Sequence, residues 1–222
     1  GVAYGGLSGE LYWYDKTEVW RNERLMRFVP RFVVEPRAMR RPKAPDSHYN
    51  HFWVAGLAKK LLDRGVSVQL GAHGQREGLA AHWEMWMLEQ GGFTAWEALR
   101  SATYQGAWYL GMANDIGAIE VGKLADLVVI DGNPLADLRR SEYVLYTMLN
   151  GRLYEAATMN QIGNETSERQ PFFFELEGGD TVHAETEAAR RAEAEAFHSV
   201  HGDEKGLPRL LIGVPGCDQS LA

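Results

Sequence analysis

Apolar side chains recur at helical spacing in the middle of the chain. Between residues 52 and 62 they return every three or four positions, which predicts a helix with one buried face. The segment is preceded by a helix-start signal, with Asp46 or Ser47 as the N-cap, and Gly65 is typical of the residue that follows a helix. Alternating apolar and polar residues over 66–70 then predict a short strand.

Two more helices are predicted after this strand. One runs from about Glu77 to Gln90, and the next begins after Thr94, where Thr94 and Glu97 fit a capping box. A strand that alternates with helices through short connections is typical of a parallel sheet covered by helices. The first of these helices carries large apolar side chains at helical spacing, and we expect the following in the core: Trp83, Trp86 and Met87.

After residue 115 the pattern changes to short strands joined by turns. Residues 127–131 predict an apolar strand, and Asn150-Gly151 between two strand-like segments predicts a hairpin. From residue 157 the sequence is mostly polar, with a solvated helix predicted over 181–198 and an extended tail behind it.

Residues 8–46 are rich in aromatic side chains and show little periodicity. The pattern predicts an irregular segment with a helix near 21–28. An irregular segment of this length inside a compact domain often covers a functional site. The alternative is an insertion that packs on its own aromatic side chains, and the sequence leaves both interpretations open.

Composition limits the class of protein. The chain has 222 residues, of which 45% are hydrophobic and 24% charged, as expected for a folded globular protein. Cys217 is the only cysteine, which excludes an internal disulfide and a cysteine-based zinc site. No apolar stretch approaches the ~18 residues of a membrane span. The first residues lack the pattern of a signal peptide, which is compatible with the cytoplasm or the periplasm.

Charge argues against a nucleic-acid partner. The net charge is −7, and the main basic cluster, from Arg37 to Lys43, is interrupted by Pro42. A nucleic-acid interface would need basic side chains interleaved with aromatic ones on one regular face. We therefore expect no nucleic acid among the partners.

Four motifs follow one another between residues 65 and 154. They are Leu70-Gly71-Ala72-His73-Gly74-Gln75, the segment from Thr94 to Thr103 with the pattern T-x-x-E-A-L-x-x-A-T, the segment from Gly117 to Asp131, and Asn150-Gly151-Arg152. In this order they resemble the C-terminal part of metal-dependent amidohydrolases, in the imidazolonepropionase-like branch.

The resemblance implies the C-terminal part of a (β/α)8 TIM barrel, an α/β fold. Residues 1–115 would supply the last βα units of the barrel, and residues 116–156 the returning strands of the family's small β-sandwich. Residues 157–222 would be a polar tail. The site of such a barrel lies at the C-terminal ends of the strands. There a divalent metal, expected to be zinc, activates water and polarises the amide carbonyl.

The chain departs from the family at the strand-eight position. The family has Gly-Thr-Asp where this chain has Gly71-Ala72-His73. An imidazole can bind zinc or take a proton from metal-bound water, but it cannot supply the charge of a carboxylate. The family's His-x-His after strand one has no counterpart here. The first six strands would therefore come from elsewhere or be missing, and we do not expect catalysis by this chain alone.

The candidate site residues follow from the resemblance. His73 is the predicted catalytic and metal-binding residue, and Gln75, Arg76 and Tyr4 are predicted to contact substrate. The alternatives are a structural role for His73 and helix capping by Gln75 and Arg76. Weaker candidates are His82 and Glu84 at the mouth of the barrel, and a metal-binding pair at i,i+3 formed by His48 and His51.

Three functions remain open at this stage. The first is metal-dependent hydrolysis of an amide, peptide or cyclic amide bond, with the chain present as a C-terminal piece that is inactive alone. The second is a non-catalytic subunit that completes a barrel, and the third is an independent α/β binding module. The expected partners are a small amide or peptide substrate and either the N-terminal remainder of the barrel or a second copy of the chain.

Overall fold

The structure, a computed structural model, describes residues 8–39, 43–72 and 78–176. The described residues up to 167 belong to one compact unit, and those from 168 onward belong to a second. The helix predicted over 181–198 lies outside the described residues. No helix of the described part is long and apolar enough to span a membrane.

Helices dominate the first unit. They are α1 (Gly9–Lys16), α2 (Glu23–Phe28), α3 (Arg31–Met39), α4 (His51–Leu62), α5 (Leu79–Gln90), α6 (Ala95–Ser101) and α7 (Tyr104–Tyr109). Short 3-10 turns lie at Val19–Arg21, Asp46–His48 and Leu138–Glu142. Four strands follow α7, namely β1 (Leu127–Ile130), β2 (Val144–Leu149), β3 (Arg152–Glu155) and β4 (Gln161–Ile162). The second unit contributes α8 (Phe173–Leu176).

The N-terminal segment is helical, which corrects the prediction of an irregular segment. Short helices form because side chains satisfy their free N–H groups: Ser8 Oγ accepts a hydrogen bond from the Leu11 N–H, and Asn22 Oδ1 accepts one from the Leu25 N–H. Four of its aromatic side chains, Tyr12, Trp13, Tyr14 and Phe28, are buried, and the ring of Trp13 lies edge-on to Trp86 of α5 at 5.1 Å. The segment therefore contributes to the main core and does not fold on its own aromatic residues alone.

Helix α5 lies at the centre of that core. Every residue from Ala80 to Leu88 is buried, so the expected burial of Trp83, Trp86 and Met87 is confirmed. Helices α1, α4 and α6 and the turn at Leu138–Glu142 all pack against it. A helix that is apolar on all sides must be enclosed in this way.

The predicted strand over 66–70 is wrong for the part of the chain that the structure describes. This segment belongs to no sheet there, and Leu70 donates its N–H to the Ser101 carbonyl at 3.1 Å, a bond to the end of α6. Alternating side chains set the two faces of a strand, but a strand also needs a neighbouring strand for its backbone hydrogen bonds. None of the described residues supplies that neighbour, so the expected parallel sheet is not observed.

The observed sheet is antiparallel, with strand order β1-β2-β3-β4. The predicted hairpin is confirmed, because Leu149 pairs with Arg152 across Asn150-Gly151. Both turn residues have positive φ, 48° and 80°, which is the conformation that a two-residue hairpin of this type requires. Asp126, which is fully buried, accepts the Asn150 N–H through Oδ1 at 2.6 Å and so ties the turn to the segment that leads into β1.

Two glycines provide a matched test of the α4–α5 contact. A Cβ added to Gly91 would lie 2.4 Å from the Ala55 carbonyl carbon, whereas a Cβ on Gly56 would meet no atom within 4 Å. We predict that Gly91→Ala lowers the free energy of unfolding by about 1–3 kcal/mol, because the backbone of α4 at Ala55 would have to move away from the new methyl group. Gly56→Ala should raise it by about 0.5–1 kcal/mol because alanine favours a helix interior.

Urea unfolding followed by tryptophan fluorescence measures both variants. Equal stabilities for the two variants would contradict the close approach of α4 and the end of α5.

Candidate functional site

The predicted site residues lie outside the part of the chain that the structure describes. They are His73, Gln75 and Arg76, together with Tyr4. The structure describes the residues on either side of 73–77. Ala72, before that segment, is 4% exposed. Gly78, after it, has a φ of 91° and precedes α5.

A buried carboxylate holds the end of the segment that leads to His73. Glu84 in α5 is 2% exposed, and its Oε2 accepts a hydrogen bond from the Gly71 N–H at 2.9 Å. Hydrogen bonds to a charged acceptor are stronger than those between neutral groups. The contact therefore fixes the backbone two residues before His73. Of the weaker candidates, Glu84 is the one that the structure places beside this segment.

The other weak candidate on the same helix has a structural role. The Nδ1 of His82 lies 3.2 Å from Ser141 Oγ, and Trp86 donates its indole N–H to the same hydroxyl at 3.1 Å. Burial, together with the nearby positive charge of Arg24, lowers the pKa of His82 to about 4. His82 is therefore neutral at pH 7 and joins α5 to the Leu138–Glu142 turn.

The predicted metal-binding pair is not formed. His51 is fully buried, with Nε2 3.0 Å from Gln90 Oε1 and its ring packed on Phe52, whereas His48 is exposed. Burial lowers the pKa of His51, although the hydrogen bond that its ring donates to Gln90 Oε1 acts in the opposite direction. The two histidines thus face different surroundings and do not converge on one point.

The described side chains do not by themselves fit a metal ion. Within residues 8–39, 43–72 and 78–176 no group of three or more His, Cys, Asp and Glu side chains converges. A zinc site needs three or four such ligands. Any metal bound near His73 would therefore draw most of its ligands from outside this part of the chain.

The contact between Glu84 and Gly71 was not predicted from the sequence, although a signal for it was available. Glu84 is the one carboxylate in the otherwise largely apolar stretch Ala80–Leu88, where a buried carboxylate must find a partner or lose its charge. Its partner is the backbone N–H of Gly71, thirteen residues earlier in the chain. Helical spacing relates residues three or four positions apart, so it gives no indication of such a pair.

Comparison with known proteins supports the resemblance. Residues 56–154 match the model of the amidohydrolase family. The resemblance to metal-dependent amidohydrolases is therefore confirmed for this stretch, which includes α5 and the β2–β3 hairpin. The imidazolonepropionase-like branch remains a prediction.

Two curated relatives match parts of the chain. A 5-methylthioadenosine/S-adenosylhomocysteine deaminase of Syntrophobacter fumaroxidans is 35% identical in a match that covers 42% of this chain and 27% of that protein. A 5'-deoxyadenosine deaminase of Methanobrevibacter smithii is 49% identical over 21% of this chain and 11% of that protein. The chain thus spans about a quarter or less of the length of these relatives.

Among solved structures, a Xaa-Pro dipeptidase with methionine bound in its active site aligns with a TM-score of 0.45 and 25% identity. That alignment covers 66% of this chain and 33% of the dipeptidase.

The buried His82 predicts a dependence of stability on pH. Its pKa is about 4 in the folded protein and ~6.5 in an unfolded chain, so the unfolded state takes up a proton first as the pH falls. Stability should therefore fall between pH 6.5 and pH 4, by on the order of 3 kcal/mol from this group. Urea unfolding at a series of pH values measures it.

His82→Gln is the comparison because glutamine can still hydrogen-bond Ser141 and does not titrate. Other buried groups, such as Glu142 with its raised pKa, contribute equally to the pH dependence of stability in both proteins. Their contributions cancel when the stability of one protein is subtracted from that of the other. Parallel stability curves for the two proteins across this pH range would contradict a neutral, buried His82.

Proposed function

We propose that this chain contributes the strand-eight end of a hydrolase site that acts on amide, peptide or cyclic amide C–N bonds. The match of residues 56–154 to the amidohydrolase family carries the proposal. The family is generally metal-dependent, and the bound metal supplies an activated water. In this proposal residues 1–115 are the last βα units of a TIM barrel, and residues 116–156 belong to its β-sandwich.

His73 is the central residue of the proposal. It follows Gly71, whose N–H is held by the carboxylate of Glu84 at 2.9 Å. A backbone anchored this close in sequence limits the positions that the imidazole can take, which favours binding and proton transfer at a defined point. Gln75 and Arg76, on the same stretch, and Tyr4 would contact substrate. The metal, which we expect to be zinc, would be held mainly by the N-terminal remainder of the barrel.

The two curated relatives suggest a further substrate class for the hydrolysis test. Both are deaminases of adenosine derivatives, and deamination by hydrolysis also breaks a C–N bond. Because the chain covers only a small share of each, adenosine derivatives are one candidate beside dipeptides, acylated amino acids and cyclic amides.

A second candidate function, completion of a barrel without catalysis, is favoured by one face of α4. Ala55 and Leu62 lie on the side that faces the core, yet the opposite side is also apolar: Trp53, Val54, Leu57 and Leu61 are 79%, 42%, 58% and 42% exposed. A helix that is apolar on two opposite sides is normally enclosed. Additional barrel elements, from an N-terminal partner or a second copy of the chain, would cover it.

The test is hydrolysis by the full-length product of the gene that encodes this chain. We expect this protein to release product from at least one compound class named above, and the chain of 222 residues alone to release none. His73→Ala in the longer protein should lower kcat by about 100-fold or more, because a positioned proton-transfer group contributes ~100- to 10,000-fold.

His48→Ala is the matched control, since His48 is an exposed histidine in the Asp46–His48 turn and should leave kcat unchanged. Hydrolysis that survives His73→Ala would refute the role of His73. A folded, metal-containing protein that hydrolyses none of these compounds would favour the barrel-completing subunit.

A further inference from the structure

We propose that a cavity at the start of segment 66–70 is a binding site for a small planar carboxylate, such as an aromatic acid. The cavity has a volume of about 370 Å³ and lies between Val66-Ser67, Arg100 at the end of α6, and α7. This volume is within the ~300–1,000 Å³ typical of small-molecule sites.

Arg100 supplies the positive charge of the site. Its guanidinium carbon lies 5.1 Å from the ring centres of both Trp96 and Tyr104, which hold the planar group between two aromatic rings. No carboxylate in the described part of the chain lies within ion-pair distance of it, and no Asp or Glu lines the cavity. A guanidinium in this situation can offer two parallel N–H groups to a carboxylate.

A chain of hydrogen bonds leaves the side-chain amide of Gln105 as a second donor in the cavity. Gln69 donates through Nε2 to Ser67 Oγ at 2.7 Å, and Ser67 Oγ–H donates to Gln105 Oε1 at 2.7 Å. The acceptor of the Gln105 side chain is therefore used. Its amide nitrogen, in contrast, has no partner among residues 8–39, 43–72 and 78–176. Arg100 and the Gln105 amide are thus two donors without a protein acceptor among the described residues, and a carboxylate, which only accepts, suits both.

The remaining lining residues are mostly apolar or aromatic, which favours a ligand whose carboxylate is attached to a flat, apolar ring. Trp108 is 57% exposed and Val66 is 48% exposed, although both side chains would be stabilised by losing contact with water. The ring of Tyr104, which contacts Arg100, belongs to the same lining. An aromatic ring could stack on these side chains while its carboxylate meets the two donors.

The cavity is separate from the proposed catalytic end. Ser67 lines it, whereas Gly71, at the other end of the same segment, is held by Glu84. Binding here needs no metal and no part of His73, so failure of the hydrolysis test and failure of this one can be told apart.

Benzoate is the probe. The chain of 222 residues is titrated at pH 7 while two-dimensional ¹H–¹⁵N NMR follows the indole N–H of Trp108 and the side-chain amide of Gln105. We expect saturable shifts of both signals. Benzamide, which has the same shape without the charge, should bind at least about tenfold more weakly, because hydrogen bonds to a charged group contribute more than those to a neutral one.

Two substitutions of arginine form a matched pair. Arg100→Gln should weaken benzoate binding at least about tenfold. Arg140→Gln removes a guanidinium that also stacks on an aromatic ring, Tyr143 at 5.1 Å, but does not line the cavity, and it should leave binding unchanged. Equal effects of the two substitutions would overturn the proposal, as would the absence of saturable shifts or equal binding of benzamide.

A third variant keeps the proposal falsifiable if Arg100→Gln does not fold. Gln105→Glu replaces a donor with a carboxylate of the same size. It should weaken benzoate binding at least about tenfold, because the new carboxylate repels the probe and can pair with Arg100. Unchanged benzoate binding by this variant would also overturn the proposal.

Discussion

Helix α5 presents apolar side chains in every direction, so it is unstable until other elements enclose it. Burial of each large side chain, among them Trp83 and Trp86, contributes about 1.5–3 kcal/mol, more than a typical hydrogen bond between neutral groups. Helices α1, α4 and α6 and the turn before β2 all pack on it. The close approach of Gly91 to Ala55 follows from the same requirement.

The same constraint arranges the polar groups near the proposed catalytic end. An enclosed helix can carry Glu84 and His82 only if each finds a partner, because an unpaired buried polar group is costly. Glu84 pairs with the Gly71 N–H and His82 with Ser141. The first contact anchors the backbone before His73 and the second anchors the chain before β2. The core and the frame of the candidate site therefore depend on one helix.

The sequence was informative where structure is set by neighbouring residues. The Thr94–Glu97 capping box and the Asn150-Gly151 hairpin were both predicted, because caps and tight turns depend on residues a few positions apart. The strand over 66–70 was not formed, because a strand needs a partner that the described residues do not provide. The Glu84–Gly71 contact was missed because it joins a side chain to a distant backbone group, and residues 73–77 lie outside the description, so His73 remains a prediction.

The central claim is that this amidohydrolase segment carries one end of a hydrolase site without the complete set of metal ligands. Elemental analysis of the purified chain, with its mass in solution measured in parallel, tests this most directly. The account predicts far less than one zinc-like metal per chain, and self-association through the exposed face of α4 that carries Trp53 and Leu57. One metal per chain in a stable monomer, lost on His73→Ala, would contradict it, because the chain would then hold a metal site of its own.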